Sequence, residues 1–273
     1  DLPLSFYEDL LHYIREHYPE CHVHAFSPPE VKFIAKKERM SFAEVIGRLQ
    51  AAGLMSIPGG GAELLSDEVR KEILAYGKTS ADEWIDIMRQ AHRHGLRTSS
   101  TMMYGMGEGL PPRLETMQRI RDLQDETGGF TAFISWTFQH EHTEMPEVPE
   151  TFAHEYLKTL AVSRLFLDNI QHLQTSWVTQ GKKIGQLALA FGADDMGSIM
   201  IEENVVSAAG TSYRMSQDEM VHLIASAGYM PKQRTNLYER LVTPEEMAPQ
   251  ARKYRDALTP GNRELLAVLP VIR

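Results

Sequence analysis

Cysteine is almost missing from this chain, and Cys21 is the single one. One thiol excludes an internal disulfide, and it excludes an all-cysteine cradle for zinc or an iron–sulfur cluster, because those need three or four thiolates. Long apolar runs are missing as well. Nothing approaches the roughly 20 apolar residues that span a bilayer. The opening Asp-Leu-Pro-Leu-Ser lacks a basic segment followed by an apolar core, so membrane insertion and export are not expected and the cytoplasm is the expected location. Positive charge is in deficit, with 28 Lys and Arg against 37 Asp and Glu and a formal net charge of -9. That balance argues against a phosphate-tracking surface and so against a nucleic-acid partner. No G-x-S-x-G, no P-loop and no G-x-G-x-x-G with its acidic companion is present, which removes the simplest signals for serine hydrolases, P-loop nucleotide hydrolases and dinucleotide-binding domains.

What remains is an ordinary globular balance, 42% hydrophobic and 24% charged over 273 residues, enough for one large core. Short β-rich runs alternate with helix-periodic stretches, the pattern that generates parallel sheets. Six strands are expected, near 22–26, 54–57, 97–103, 130–138, 172–177 and 197–201. Ser41 with Glu44, Ser80 with Glu83 and Ser216 with Glu219 each fit the S-x-x-E capping box at a helix start, while Gly53, Gly95 and Gly228 mark helix ends. Pro111 and Pro112 open another helix, with Leu114, Met117, Ile120 and Leu123 as its apolar stripe. The chain begins inside an amphipathic helix carrying Phe6, Leu10, Leu11 and Ile14. The expected architecture is therefore α/β, an incomplete (β/α) barrel of the TIM type with about six of eight strands in 1–242 and its N-terminal units missing. A helical C-terminal tail is expected over 243–273.

In such a barrel the chemistry sits at the C-terminal ends of the strands. The first run leads to Ser27-Pro28-Pro29-Glu30, and the second to Pro58-Gly59-Gly60-Gly61-Ala62-Glu63. The third leads to Tyr104-Gly105, the fourth ends Trp136-Thr137-Phe138-Gln139, and the sixth leads to Glu202-Glu203-Asn204. The three glycines let backbone approach a ligand closely, or simply make a tight turn. His22 and His24, two apart on a strand, share a face. They could present zinc in a hydrolase, but no further strand-end histidine completes a ligand set. His24 reads equally as an interior hydrogen-bonding residue or a substrate contact. Trp136 and Gln139 suit stacking and hydrogen bonding to a ribose-bearing or aromatic ligand, and Tyr104 suits packing or pocket lining.

Together these strings resemble the radical S-adenosylmethionine enzymes of the futalosine route to menaquinone, most closely those that cyclise dehypoxanthine futalosine. The resemblance is carried by His22-Val-His-Ala-Phe-Ser-Pro-Pro-Glu30, Ser56-Ile-Pro-Gly-Gly-Gly-Ala-Glu63, Thr101-Met-Met-Tyr-Gly105, the segment 128–139, Ser176-Trp-Val-Thr-Gln-Gly-Lys-Lys183 and Met200 through Gly210. It covers roughly residues 1 to 242. It implies a [4Fe-4S] cluster on a CxxxCxxC motif, S-adenosylmethionine bound to the cluster's open iron, an external one-electron reductant, and hydrogen abstraction from the ribose of a nucleoside-derived substrate followed by ring closure. It further implies Gly59, Gly60, Gly61 and Glu63 as S-adenosylmethionine contacts, and His24, Glu30, Tyr104, Trp136, Gln139, Glu202 and Asn204 as substrate contacts. Aminofutalosine synthase and the deazaflavin-cofactor synthases share the glycine-rich and Glu-Glu strings and stand as alternatives, as does a barrel that has lost its cluster and catalysis. The sequence departs from the pattern at the cluster, since a lone Cys21 cannot supply three thiolates, so this chain alone is expected to be inactive. His140 also stands where proline is expected, and Gly109-Leu110-Pro111-Pro112 replaces a more acidic helix start.

Overall fold

The computed structural model describes residues 2–73, 78–200, 202–210, 212–239, 241–242 and 266–270. They fall into two compact units, residues 1–102 with 108–133, and residues 103–107 with 134–272. The first holds α1 (Leu4–His17), α2 (Pro28–Glu38), α3 (Phe42–Ala52), β1 (Ser56–Ile57), α4 (Asp67–Ile73), α5 (Ala81–Arg93), α6 (Leu110–Thr127) and most of β2 (Arg97–Tyr104) and the first half of β3 (Phe130–Thr137). The second holds α7 (Ala153–Phe166), β4 (His172–Gln174), α8 (Trp177–Ala188), α9 (Val205–Ala208), α10 (Gln217–Ser226), β5 (Met230–Arg234), β6 (Leu241–Val242) and β7 (Leu266–Pro270).

The fold is α/β with a parallel sheet of order β1-β2-β3-β4, in which Ser56 lies opposite Arg97 and Ile57 opposite Thr98. His24 adds a single parallel bridge to Ser56 beyond β1, and Asp195 one to Gln174 beyond β4. Four of the six expected strands form, the run at 22–26 makes only the single bridge at His24, and the bridge nearest the run at 197–201 is at Asp195, before it. The two shortfalls have local causes. Phe26 takes a left-handed φ of 61° just past the His24 bridge, and Gly197 takes 76° just past Asp195 while its N–H bonds the Asp195 carboxylate at 2.7 Å, so the chain turns away from the sheet at both places.

Helix punctuation follows the sequence closely. All three expected capping boxes form, on α3, α5 and α10, and Gly53, Gly95 and Gly228 all have positive φ at helix ends. Pro111 and Pro112 sit in the first turn of α6, whose Met117, Ile120 and Leu123 are buried, whereas Leu114 is exposed and Thr116 takes its place facing inward. On α1 the buried stripe is Leu4 and Leu11, with Tyr7 and Ile14 half-buried; Phe6 and Leu10, one step around the helix, are exposed.

A second, three-stranded sheet has the order β6-β5-β7, with β5 antiparallel to β6 and parallel to β7, Met230 opposite Leu266 through Arg234 opposite Pro270. The expected helical tail is corrected here over residues 266–270. Leu-Ala-Val-Leu-Pro is a short apolar run, which periodicity cannot distinguish from a helix segment until a partner strand is present. Residues 243–265 and 271–273 lie outside the described residues.

Candidate active site

In the first unit the glycine-rich turn after β1 is fastened by its carbonyls. Thr101 donates its hydroxyl to Gly59 O at 2.5 Å, and the Trp84 indole donates to Gly60 O at 3.2 Å. The Arg70 guanidinium, 1% exposed, donates to Gly61 O at 3.3 Å, to Ala62 O, to Leu64 O at 3.2 Å, and from Nε to Thr79 O at 3.1 Å. Glycine is required at two of these positions. A Cβ on Gly59 would lie 2.7 Å from the Ser99 carbonyl, and one on Gly61, whose φ is 76°, would lie 2.4 Å from the Pro29 ring. Glu63 follows with φ 45°, a left-handed backbone unusual for a residue with a side chain, and its carboxylate pairs with Lys78 at 2.6 Å. Such strain concentrates where a site must be held in a fixed shape.

Two of the expected contacts near this turn already have partners. Glu30 closes a fourth capping box, accepting from Ser27 N at 2.8 Å and Ser27 Oγ at 2.6 Å at the start of α2. His22 Nε2 and His24 Nδ1 converge on the buried Ser56 hydroxyl at 2.7 and 2.6 Å, which confirms that the two imidazoles share a face. Among the described residues no three His, Cys, Asp or Glu side chains gather as a metal site, and Cys21 is exposed.

In the second unit the ends of β3 and β4 gather amides and hydroxyls. Thr137 Oγ1 accepts from Gln139 Nε2 at 3.0 Å and from Gln180 Nε2 at 2.7 Å. Gln180 lies just before Gly181, where a φ of 79° breaks α8 and brings the backbone against the Tyr213 ring. A cavity of about 320 Å³ opens beside this cluster, with Gln139, His140, Glu141, Glu150 and Tyr213 on its wall. Gly210 leaves room for Glu141, since a Cβ there would sit 2.4 Å from its carboxylate. Tyr104 is fully buried, and strand alternation puts it on the side of Thr98, whose hydroxyl bonds His92 of α5; Trp136 is half-buried on the matching side of β3, the side of Phe130. Glu202 and Asn204 are exposed and face each other at 3.5 Å, while Glu203 accepts from the amides of Val205, Val206 and Ser207. Gln180, Thr137, Lys78 and Arg70 were not singled out from sequence. The S-x-x-E signal would have exposed the role of Glu30 beforehand.

The same unit carries a buried polar network around β4 and the last residue of β5. Asp195, 0% exposed, pairs with Arg234 at 2.8 Å, bonds the Tyr238 hydroxyl, and accepts from Gly197 N. Arg234 lies over the Tyr238 ring at 4.3 Å, and His172 stacks on that ring at 3.8 Å while its Nδ1 meets Asp194 at 2.7 Å. Burial and the neighbouring Asp195 carboxylate push the Tyr238 phenol well above its ordinary range, so it stays a donor.

Comparison with known proteins places this scaffold. HydG, the FeFe-hydrogenase maturase of Carboxydothermus hydrogenoformans, superposes with a TM-score of 0.62 over 94% of this chain and 63% of its own, at 13% identity, which shows a shared fold. Cyclic dehypoxanthine futalosine synthases of Halalkalibacterium halodurans and Streptomyces coelicolor are 47% and 44% identical over 90% and 91% of the chain. A 5-amino-6-(D-ribitylamino)uracil–L-tyrosine 4-hydroxyphenyl transferase of Methanothermobacter thermautotrophicus is 39% identical over 88% of the chain and 67% of its own length. These likenesses place the chain in the radical S-adenosylmethionine family of α/β proteins. Residues 127–247 match the model of the CofH/MqnC C-terminal region, and the chain belongs to the CofH/MqnC family. It spans 66% and 62% of the two futalosine relatives, less than two thirds of either.

Proposed function

We propose that this chain forms the S-adenosylmethionine-facing and substrate-facing part of a radical enzyme that cyclises dehypoxanthine futalosine to cyclic dehypoxanthine futalosine in menaquinone biosynthesis. The observation that carries the reading is the identity with two cyclic dehypoxanthine futalosine synthases, 47% and 44%, against 39% for the tyrosine transferase and 38% for the aminodeoxyfutalosine synthase of Thermus thermophilus. The residues present do not fit a [4Fe-4S] cluster, because one exposed cysteine cannot replace three. They do fit S-adenosylmethionine. The turn at Gly59, Gly60 and Gly61 is held in one shape by its packing, and beside it Glu63 offers a carboxylate acceptor for the ammonium or ribose hydroxyls. When bound and cleaved, S-adenosylmethionine supplies the hydrogen-abstracting group.

The chain's own residues bind, orient and exclude water. Gln139 and Gln180, locked on Thr137, present amide oxygens and hydrogens to a polar nucleoside-derived substrate, and the cavity beside them has room for a ribose and its substituent. His24, Glu30, Tyr104, Trp136, Glu202 and Asn204 remain assigned to substrate contact under this proposal. The test is an anaerobic assay of a polypeptide that joins this chain to a CxxxCxxC segment, with dehypoxanthine futalosine, S-adenosylmethionine and a low-potential one-electron reductant. Cyclic product in the wild type, lost in Gln180→Leu, supports the reading. Turnover only with the substrates of aminofutalosine synthase, or with tyrosine and the ribitylaminouracil, assigns the chain to another branch of the family.

A further inference from the structure

We infer that Arg70 is the positioning residue of the glycine-rich turn, the group that gives Glu63 its strained conformation and thereby makes the turn competent for S-adenosylmethionine; this rests on the site assignment proposed above. Arg70 lies on α4, seven residues beyond Glu63, and is 1% exposed. Its direct partners in the structure are oxygen atoms of backbone and one hydroxyl: the carbonyls of Gly61, Ala62, Leu64 and Thr79, and Thr79 Oγ1 at 3.3 Å. A planar guanidinium with five N–H donors in a fixed fork can serve two chain segments at once, which an ammonium cannot reproduce. One of those segments is the turn, 61–64. The other is Lys78-Thr79, and Lys78 carries the ammonium that meets the Glu63 carboxylate at 2.6 Å. Arg70 therefore fixes both the backbone on either side of Glu63 and the strand of chain that supplies its cation.

The same contacts bracket the left-handed Glu63. The Ala62 and Leu64 carbonyls converge on one guanidinium nitrogen, and the residue between them takes φ 45°. Such a conformation persists only when its surroundings over-determine it. Lys32 steadies the far side, donating to Lys78 O at 3.0 Å and to Glu83 at 2.8 Å. Burial costs the charged form of Arg70 and lowers its pKa, and the nearby carboxylates of Glu63, Asp67 and Glu83 recover only part of that cost.

The experiment is titration of S-adenosylmethionine into the anaerobically reconstituted cluster-bearing polypeptide described above, by calorimetry, for the wild type, Arg70→Lys, Thr79→Val and Glu63→Gln, each first shown to be folded by circular dichroism. Glu63→Gln should weaken binding, and Arg70→Lys should raise the Kd at least about tenfold while the KM for the nucleoside substrate stays unchanged. Thr79→Val, which deletes one acceptor and leaves the guanidinium, should raise the Kd by about twofold to threefold. A folded Arg70→Lys with the wild-type Kd overturns the inference while Glu63→Gln still reports the site. If Glu63→Gln itself binds normally, the site assignment fails and the inference with it. Should Arg70→Lys not fold, Thr79→Val decides: an unchanged Kd overturns the positioning role.

Discussion

Replacing Arg234 by methionine tests whether the buried network in the second unit holds this part of the chain together. Methionine preserves most of the volume and removes the charge, leaving Asp195 at 0% exposure with only Gly197 N and the Tyr238 hydroxyl as its remaining described donors. Removing one member of a buried pair costs about 3–5 kcal/mol, because the survivor keeps its desolvation penalty. At about 2–4 °C per kcal/mol for a chain of this size, the midpoint should fall by about 6–20 °C. Urea unfolding followed by circular dichroism gives the free energy directly. The double variant Asp195→Asn with Arg234→Met should recover at least half of the loss, since the neutral amide placed there still accepts from Gly197 and can donate to the Tyr238 oxygen. An Arg234→Met protein within about 1 kcal/mol of the wild type, or a double variant no more stable than the single one, refutes the reasoning.

Two further outcomes are expected. Gly61→Ala should destabilise by about 1–3 kcal/mol, because it combines a left-handed φ of 76° with a Cβ 2.4 Å from Pro29, and Gly95→Ala, equally left-handed but with open space around it, should cost less; a reversed order in urea melts would remove the Pro29 contact as the cause. His92 is held at about 4 by burial, aided by Arg97, against an ordinary value of 6.5. Its folded pKa is depressed, so the unfolded chain binds the extra proton and stability is full above about pH 6.5 and declines as pH falls toward about 4, by up to about 3 kcal/mol in total. His92→Gln should flatten that decline between pH 7 and pH 4, and an unchanged slope assigns the acid sensitivity elsewhere.

Helix starts and ends were legible because their determinants are local. Ser41, Ser80 and Ser216 each find their glutamate three residues on, and the glycines that end helices need only a backbone conformation. The strands at 22–26 and 197–201 were overestimated for the converse reason, since whether a β-rich run pairs depends on chain elsewhere, and Phe26 and Gly197 turn it away. The tail strand at 266–270 was invisible until β5 stood beside it. At the site, the turn at Gly59 to Gly61 and the strained Glu63 stood out as a motif, whereas Arg70 did not. Its donors point mainly at carbonyls, and carbonyls carry no signature in sequence. The amide cluster of Gln139, Gln180 and Thr137 brings together residues 43 apart, a distance that no local pattern encodes.

The four capping boxes also set an order of events. Each helix start on α2, α3, α5 and α10 closes within four residues, so it can form on the sub-microsecond to microsecond scale of helix growth, as soon as that stretch of chain is available. The sheet is different. β1 contributes two residues and β4 three, and every pairing between β1 and β4 waits for an intervening helix to bring its strands together. The sheet therefore depends on the helices that connect its strands, and the short β1 and β4 are aligned by the helices that flank them.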